Sequence, residues 1–139
     1  MNFITDLENA FILNTSEANA VPMAKYMKNH FAFFGIKSKP RKDITKEIWK
    51  LHKAEVKDNA REIAWELFNK KEREFHYSAI EILIKVLKNN YRKEDIQLIE
   101  KLLVTNSWWD SVDFLAKYLL GNYLNQFPEE TDKVISKFS

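Results

Sequence analysis

The sequence predicts an all-α fold, on three observations. From Asp43 onward the apolar positions recur at intervals of three and four (Ile44, Ile48, Leu51; Ile63, Leu67; Ile80, Leu83, Ile84, Leu87; Ile96, Ile99, Leu103), the spacing of one helix face. The chain holds only two glycines and three prolines in 139 residues, too few for a sheet protein, which needs a turn signal about every 8–12 residues. Hydrophobic residues at 45% and charged residues at 30% describe a folding chain and not a disordered one. At this length the whole of 1–139 is read as a single helical-repeat domain with a core of its own.

Eight helices follow in order, at 2–14, 19–30, 41–53, 56–69, 72–89, 93–104, 108–124 and 128–138. Gly35 ends a turn after Phe31-Ala32-Phe33-Phe34, Pro40 opens the third helix, Gly121 lies near the end of the seventh, and Pro128 sits in the first turn of the eighth. The joints read as short, which makes consecutive helices antiparallel. Hairpins with apolar stripes on two sides stack into a layered, right-handed α-α superhelix, and about 40 residues per helix pair is the HEAT or armadillo spacing; no repeat aligns between the pairs, so this architecture rests in part on the resemblance given below. An irregular orthogonal bundle is the structural alternative.

Charge is unevenly distributed. Residues 25–57 carry ten Lys/Arg against three acids, a local net of +7, and residues 94–139 carry four lysines against eight acids, a net of −4. A polyanion would therefore be met mainly by the first half, with Lys25, Lys28, Lys37, Lys39, Arg41 and Lys42 as its contacts; a solvated lysine face is the plainer reading. There is no cysteine, hence no disulfide, thiolate nucleophile or sulfur-ligated zinc. His30, His52 and His76 share no ligand spacing, so neither a metal nor a cofactor is expected. No apolar run is long enough for a membrane span, and acids stand at the N-terminus where a signal peptide needs cations, which places the protein in the cytoplasm.

The segment richest in chemistry is 105–116, TNSWWDSVDFLA. Ser107 with Asp110 three residues on is close to a capping box, which gives Asp110 a structural task. Asp113 lies one turn further in, where no free backbone amide remains to be capped. On a helix Trp108, Val112, Leu115 and Leu119 form an apolar stripe toward the core, whereas Trp109, Asp113 and Ala116 form a second stripe about 100° round. Indole and carboxylate at i and i+4 are surface neighbours, and the small Ala116 leaves room for a bound group. An exposed tryptophan beside a solvated aspartate is the alternative. Trp49, Trp65, Tyr26 and Phe33 read as core residues, and Glu72-Arg73-Glu74 beside Lys70-Lys71 as a charge cluster that could arrange a buried ion pair but more simply forms an exposed set of i,i+4 partners.

Three separated blocks, Met23 to Ile36 (MAKYMKNHFAFFGI), Glu72 to Ala79 (EREFHYSA) and Ser107 to Asp113 (SWWDSVD), resemble the DNA alkylation repair enzymes of the AlkD type. These are HEAT-like helical glycosylases that remove N3- and N7-alkylated purines. The resemblance implies that the second Trp and the final Asp of W-W-D-x-V-D, here Trp109 and Asp113, are the catalytic pair, that double-stranded DNA carrying alkylated purines is the substrate, and that no cofactor is used. It also implies a further tryptophan and an arginine in a downstream repeat, which these 139 residues do not contain. The sequence is accordingly expected to be the N-terminal portion of a longer domain, with Val134, Ile135 and Phe138 of the last helix wanting a neighbour, a second copy of the chain included. A non-catalytic helical module that binds DNA, or a protein scaffold, is the competing function.

Overall fold

The computed structural model describes residues 2–138 and the side chains of 2–137. About three quarters of the chain is helical (77%), and no strand is present among the described residues, so the fold is all-α. The elements are α1 (Asn2–Leu13), α2 (Glu17–Tyr26), α3 (Ser38–Leu51), α4 (Lys53–Phe68), α5 (Arg73–Leu87), α6 (Asp95–Val104), α7 (Trp109–Phe114), a π-helical turn (Leu115–Leu120), α8 (Gly121–Gln126), a 3-10 turn (Pro128–Glu130) and α9 (Thr131–Phe138). They match the eight predicted helices, the seventh comprising α7, the π turn and α8 in one unbroken run. The chain divides into two compact units, one ending at Ile82 and the other beginning at Leu83, inside α5.

In the first unit α1 packs on α3 and α4. Its Phe3, Ile4, Leu7 and Phe11 are buried at helical spacing, as are Val56, Ala60, Ile63, Ala64, Leu67 and Phe68 of α4. α2 departs from expectation at both ends. Ser16 caps it, its Oγ accepting from the Asn19 N–H at 3.3 Å, so the helix opens at Glu17, two residues early. It stops at Tyr26 because Lys28 and Asn29 adopt left-handed φ values of 54° and 59°. The Asn29 N–H then bonds Ala24 O and the Lys28 N–H bonds Lys25 O, a Schellman termination.

The joint from α2 to α3 is therefore eleven residues, 27–37, and not short. A buried acid organises it. Glu74 is fully buried, and its carboxylate accepts from three successive backbone amides, Phe34 (3.1 Å), Gly35 (3.0 Å) and Ile36 (3.1 Å). Phe34, Phe11 and Phe75 close a three-ring cluster with centroids 5.3–5.8 Å apart. The expectation of an exposed charge cluster at 72–74 is thus overturned for two of its three members. Arg73 is also fully buried, with its guanidinium 4.0 Å from the Phe31 ring centroid and 3.1 Å from His76 Nδ1. An arginine only donates, so His76 Nδ1 accepts, and its Nε2–H donates to Lys70 O at 2.7 Å, which fixes the neutral tautomer.

Glu74→Gln is nearly isosteric but turns one acceptor oxygen into an NH2 that faces an amide donor. Hydrogen bonds to a charged acceptor are each worth about 1.5–3 kcal/mol, so a stability loss of about 2 kcal/mol is expected in urea unfolding. An unchanged midpoint would show that the carboxylate does not hold the joint.

The second unit is built on α6, the π turn, α8 and α9. Ile99 and Leu102 of α6, Leu115 and Leu119 of the π turn, Tyr123 of α8 and Val134 of α9 are buried. The segment before α6 is clamped to α8: the Tyr91 N–H donates to Gln126 Oε1 (2.7 Å), Gln126 Nε2 donates to Tyr91 O (2.6 Å), and the Tyr123 hydroxyl donates to Lys93 O (3.2 Å). Burial pushes the Tyr91 phenol up to about 12. On α9, Ile135 is exposed next to the buried Val134, and the Phe138 side chain lies outside the described residues.

Candidate active site

The helical run 109–126 places the residues singled out at its start. Thr105 leaves α6 with extended backbone, Asn106 takes a left-handed φ of 46°, and Trp108 stands extended at the N-cap. The expected cap of Ser107 with Asp110 is not what forms, because the helix opens one residue later. Ser111 fills the N3 place: its hydroxyl accepts from the Trp108 N–H (3.4 Å) and donates to Trp108 O (3.2 Å), while Asp110 Oδ1 accepts from the Ser111 N–H (2.7 Å). Ser111 is fully buried.

This start sets the phase of everything after it. Trp108 and Val112 are partly covered and Leu115 and Leu119 are buried, as the inward stripe requires. Trp109 is 55% exposed, and Asp113 and Ala116, one and two turns on, are exposed as well. Indole and carboxylate thus share one open face at i,i+4 spacing, where Cβ atoms lie about 5–6 Å apart. No group of three or more His, Asp or Glu side chains able to hold a metal occurs among the described residues.

Another side of the same helical run carries residues that the sequence reading did not single out. Phe114 (49% exposed) and Tyr118 (37%) stack on each other with centroids 5.7 Å apart and planes at 27°, and Lys117 Nζ lies 5.3 Å from the Tyr118 centroid. The signal for this pair was present: at about 100° per residue, positions 114 and 118 fall well away from the Val112, Leu115, Leu119 stripe, so aromatics there have no core to enter. A π-helical turn follows, in which the Gly121 N–H reaches back five residues to Ala116 O.

The cationic residues lie in the first unit. Lys25, Lys28, Lys37, Lys39 and Lys42 are exposed, and Lys39 makes a surface pair with Asp43 (3.2 Å), a contact of little strength. Arg41, the sixth expected contact, is withdrawn from the set. It is buried, ion-paired with Glu81, and lies 5.3 Å from the Tyr77 ring centroid, with Thr45 and Ser78 hydroxyls 2.9 Å apart beside it. Removing its charge from that pair would leave Glu81 unpaired. Two further expectations change: Tyr26 is 72% exposed and not core, and Trp49 and Trp65 are half-buried.

The sequence profile of the DNA alkylation repair enzymes matches residues 7–139, nearly the whole chain. The chain belongs to that family. A solved structure described as a predicted DNA alkylation repair enzyme from Enterococcus faecalis superposes with a TM-score of 0.75 at 24% sequence identity, covering 88% of this chain and 56% of that one. The likeness shows that this alkylation repair family member shares that fold over a little more than half of the longer chain's length. A search of curated proteins finds no match. Among the described residues no helix of the family member is long and apolar enough to cross a membrane.

Proposed function

We propose that the chain is part of a cytoplasmic DNA glycosylase that hydrolyses the N-glycosidic bond of cationic N3- and N7-alkylated purines in duplex DNA, its helix pairs acting as HEAT-like repeats of one domain. The observation that carries this reading is the exposed Trp109 and Asp113 pair, one turn apart, in a member of the alkylation repair family.

An alkyl group on N7 or N3 makes the purine cationic, so the base departs with the electron pair of the C1′–N bond and becomes neutral without strong acid help. Positive charge builds on the sugar as that bond lengthens. Asp113, exposed, is the group to stabilise this oxocarbenium character or to orient the water that adds to C1′ and gives up its proton to solvent. Trp109 offers its π face to the cationic nucleotide, a contact worth about 0.5–2 kcal/mol, and limits water access. Selection by bond lability follows, since a neutral lesion supplies no such leaving group.

The decisive experiment measures free base released from duplex carrying either a cationic or a neutral alkylated purine, with this chain and with a chain extended to the length of the solved relative. Release of the cationic lesion alone is expected. Release of both at similar rates would overturn bond lability as the basis of selection, and release by neither chain would leave a DNA-binding module without the reaction.

Lysines that meet phosphates position the duplex without reading its sequence. If the five exposed lysines each neutralise one phosphate, log K should fall against log salt with a slope of about −4 to −5. Titration of plain duplex at several salt concentrations measures it, and a flat response would refute the phosphate contacts.

A further inference from the structure

We propose that Phe114 and Tyr118, with Lys117 beside them, form a second nucleobase-stacking platform that takes an unpaired nucleotide of a DNA strand, separate from the Trp109 and Asp113 pair. The inference rests on DNA being the partner proposed above, but not on the hydrolysis. Two large rings stacked at a 27° inclination on solvent, 49% and 37% exposed, are an unusual use of surface. Scattered single hydrophobic residues need no explanation, whereas a stacked pair already pre-arranges a flat π surface, so a third ring laid on it loses little side-chain freedom.

The neighbouring charge decides between occupants. Lys117, itself exposed, places its Nζ over the Tyr118 ring, 5.3 Å from the centroid. A base with its phosphate satisfies ring and cation together, as in single-strand binding sites that combine aromatic platforms with a basic track, whereas an apolar protein helix would bury the lysine without compensation. By the roughly 100° advance per residue, Phe114 lies about 140° round the helix from Trp109. The two aromatic surfaces therefore engage different nucleotides.

The test uses the full chain and a short single-stranded oligonucleotide that carries one 2-aminopurine and no alkylated base, the fluorescence of the 2-aminopurine being quenched on stacking. Phe114→Ala is expected to weaken binding about 10-fold and to abolish the quench, since stacking contributes about 1–3 kcal/mol per base. Phe114→Trp is expected to restore both, and Lys117→Gln to reduce the salt slope by about 0.7, the loss of one single-strand phosphate contact. Unchanged binding and quench in Phe114→Ala would overturn the platform. So would a concentration-dependent dimer that Phe114→Ala dissolves while oligonucleotide binding persists, for then a second copy covers the rings. Base release from alkylated duplex, measured alongside, reports on the glycosylase reading independently: it fails or succeeds whatever the quench does.

Discussion

Gly35→Ala is expected to destabilise the protein by at least about 3 kcal/mol, a large effect for one methyl group. Two causes act together. Gly35 holds φ at +93°, where a residue with a Cβ is strained by about 1–3 kcal/mol. The added Cβ would also stand 2.0 Å from Ser16 O, 2.8 Å from Ala20 N and 2.9 Å from Ser16 C, all backbone atoms. None of them has room to yield. Ser16 caps α2 and donates its N–H to Phe34 O at 2.9 Å, while the Gly35 amide is tied to Glu74. Relief requires breaking the cap or the carboxylate clamp. Urea unfolding should show a lower midpoint with an unchanged slope, and a loss under about 1 kcal/mol would mean that the joint re-forms elsewhere. Combined with Glu74→Gln, the cost should be less than additive, since both changes release the same segment.

Asp113→Asn is expected to reduce release of alkylated base by about 10²–10³-fold, about 2.7–4 kcal/mol of transition-state stabilisation. Asparagine keeps the shape and loses the charge, which separates electrostatics from packing. The side chain is exposed, so stability should move by less than about 0.5 kcal/mol, and a fall in rate cannot be blamed on unfolding. Plain-duplex affinity should be retained or rise slightly, because the variant has lost a negative charge that repels a polyanion. Single-turnover rates on N7-methylated duplex, in whichever chain length releases base, measure the effect. Activity that survives the change would remove Asp113 from the chemistry and leave Trp109 without its partner.

Much of the architecture was legible because helices write themselves locally. The three-and-four spacing of Ile80, Leu83 and Leu87, or of Ile96, Ile99 and Leu103, needs no distant partner to be read, and these segments lie where expected. The same holds for Trp109 and Asp113, whose shared open face follows from the phase of Val112, Leu115 and Leu119. What escaped depends on residues far apart in sequence. Glu74 meets the amides of 34–36 across about 40 positions, and nothing near it marks it as buried rather than solvated. Arg41 reaches Glu81 over a like interval, so a lysine-rich neighbourhood disguised a core cation as a surface one. Ser111 displaced Ser107 as the organiser of the 109–126 start because a one-residue shift of the boundary lies below what propensity resolves.

The wide turn at Leu115–Leu120 acts as a phase shifter. A five-residue hydrogen bond accommodates one residue more than the ordinary coil, so everything downstream is offset by about 100° from where an uninterrupted helix would carry it. Upstream, rotation is dictated by what must be displayed to solvent; downstream, by where Tyr123 and Gln126 must reach to grip residues 91 and 93. A uniform helix has a single rotational setting and would have to compromise between these demands. Here the two ends are tuned separately, and excising a single residue from the turn would preserve the helicity while forfeiting either the display or the grip.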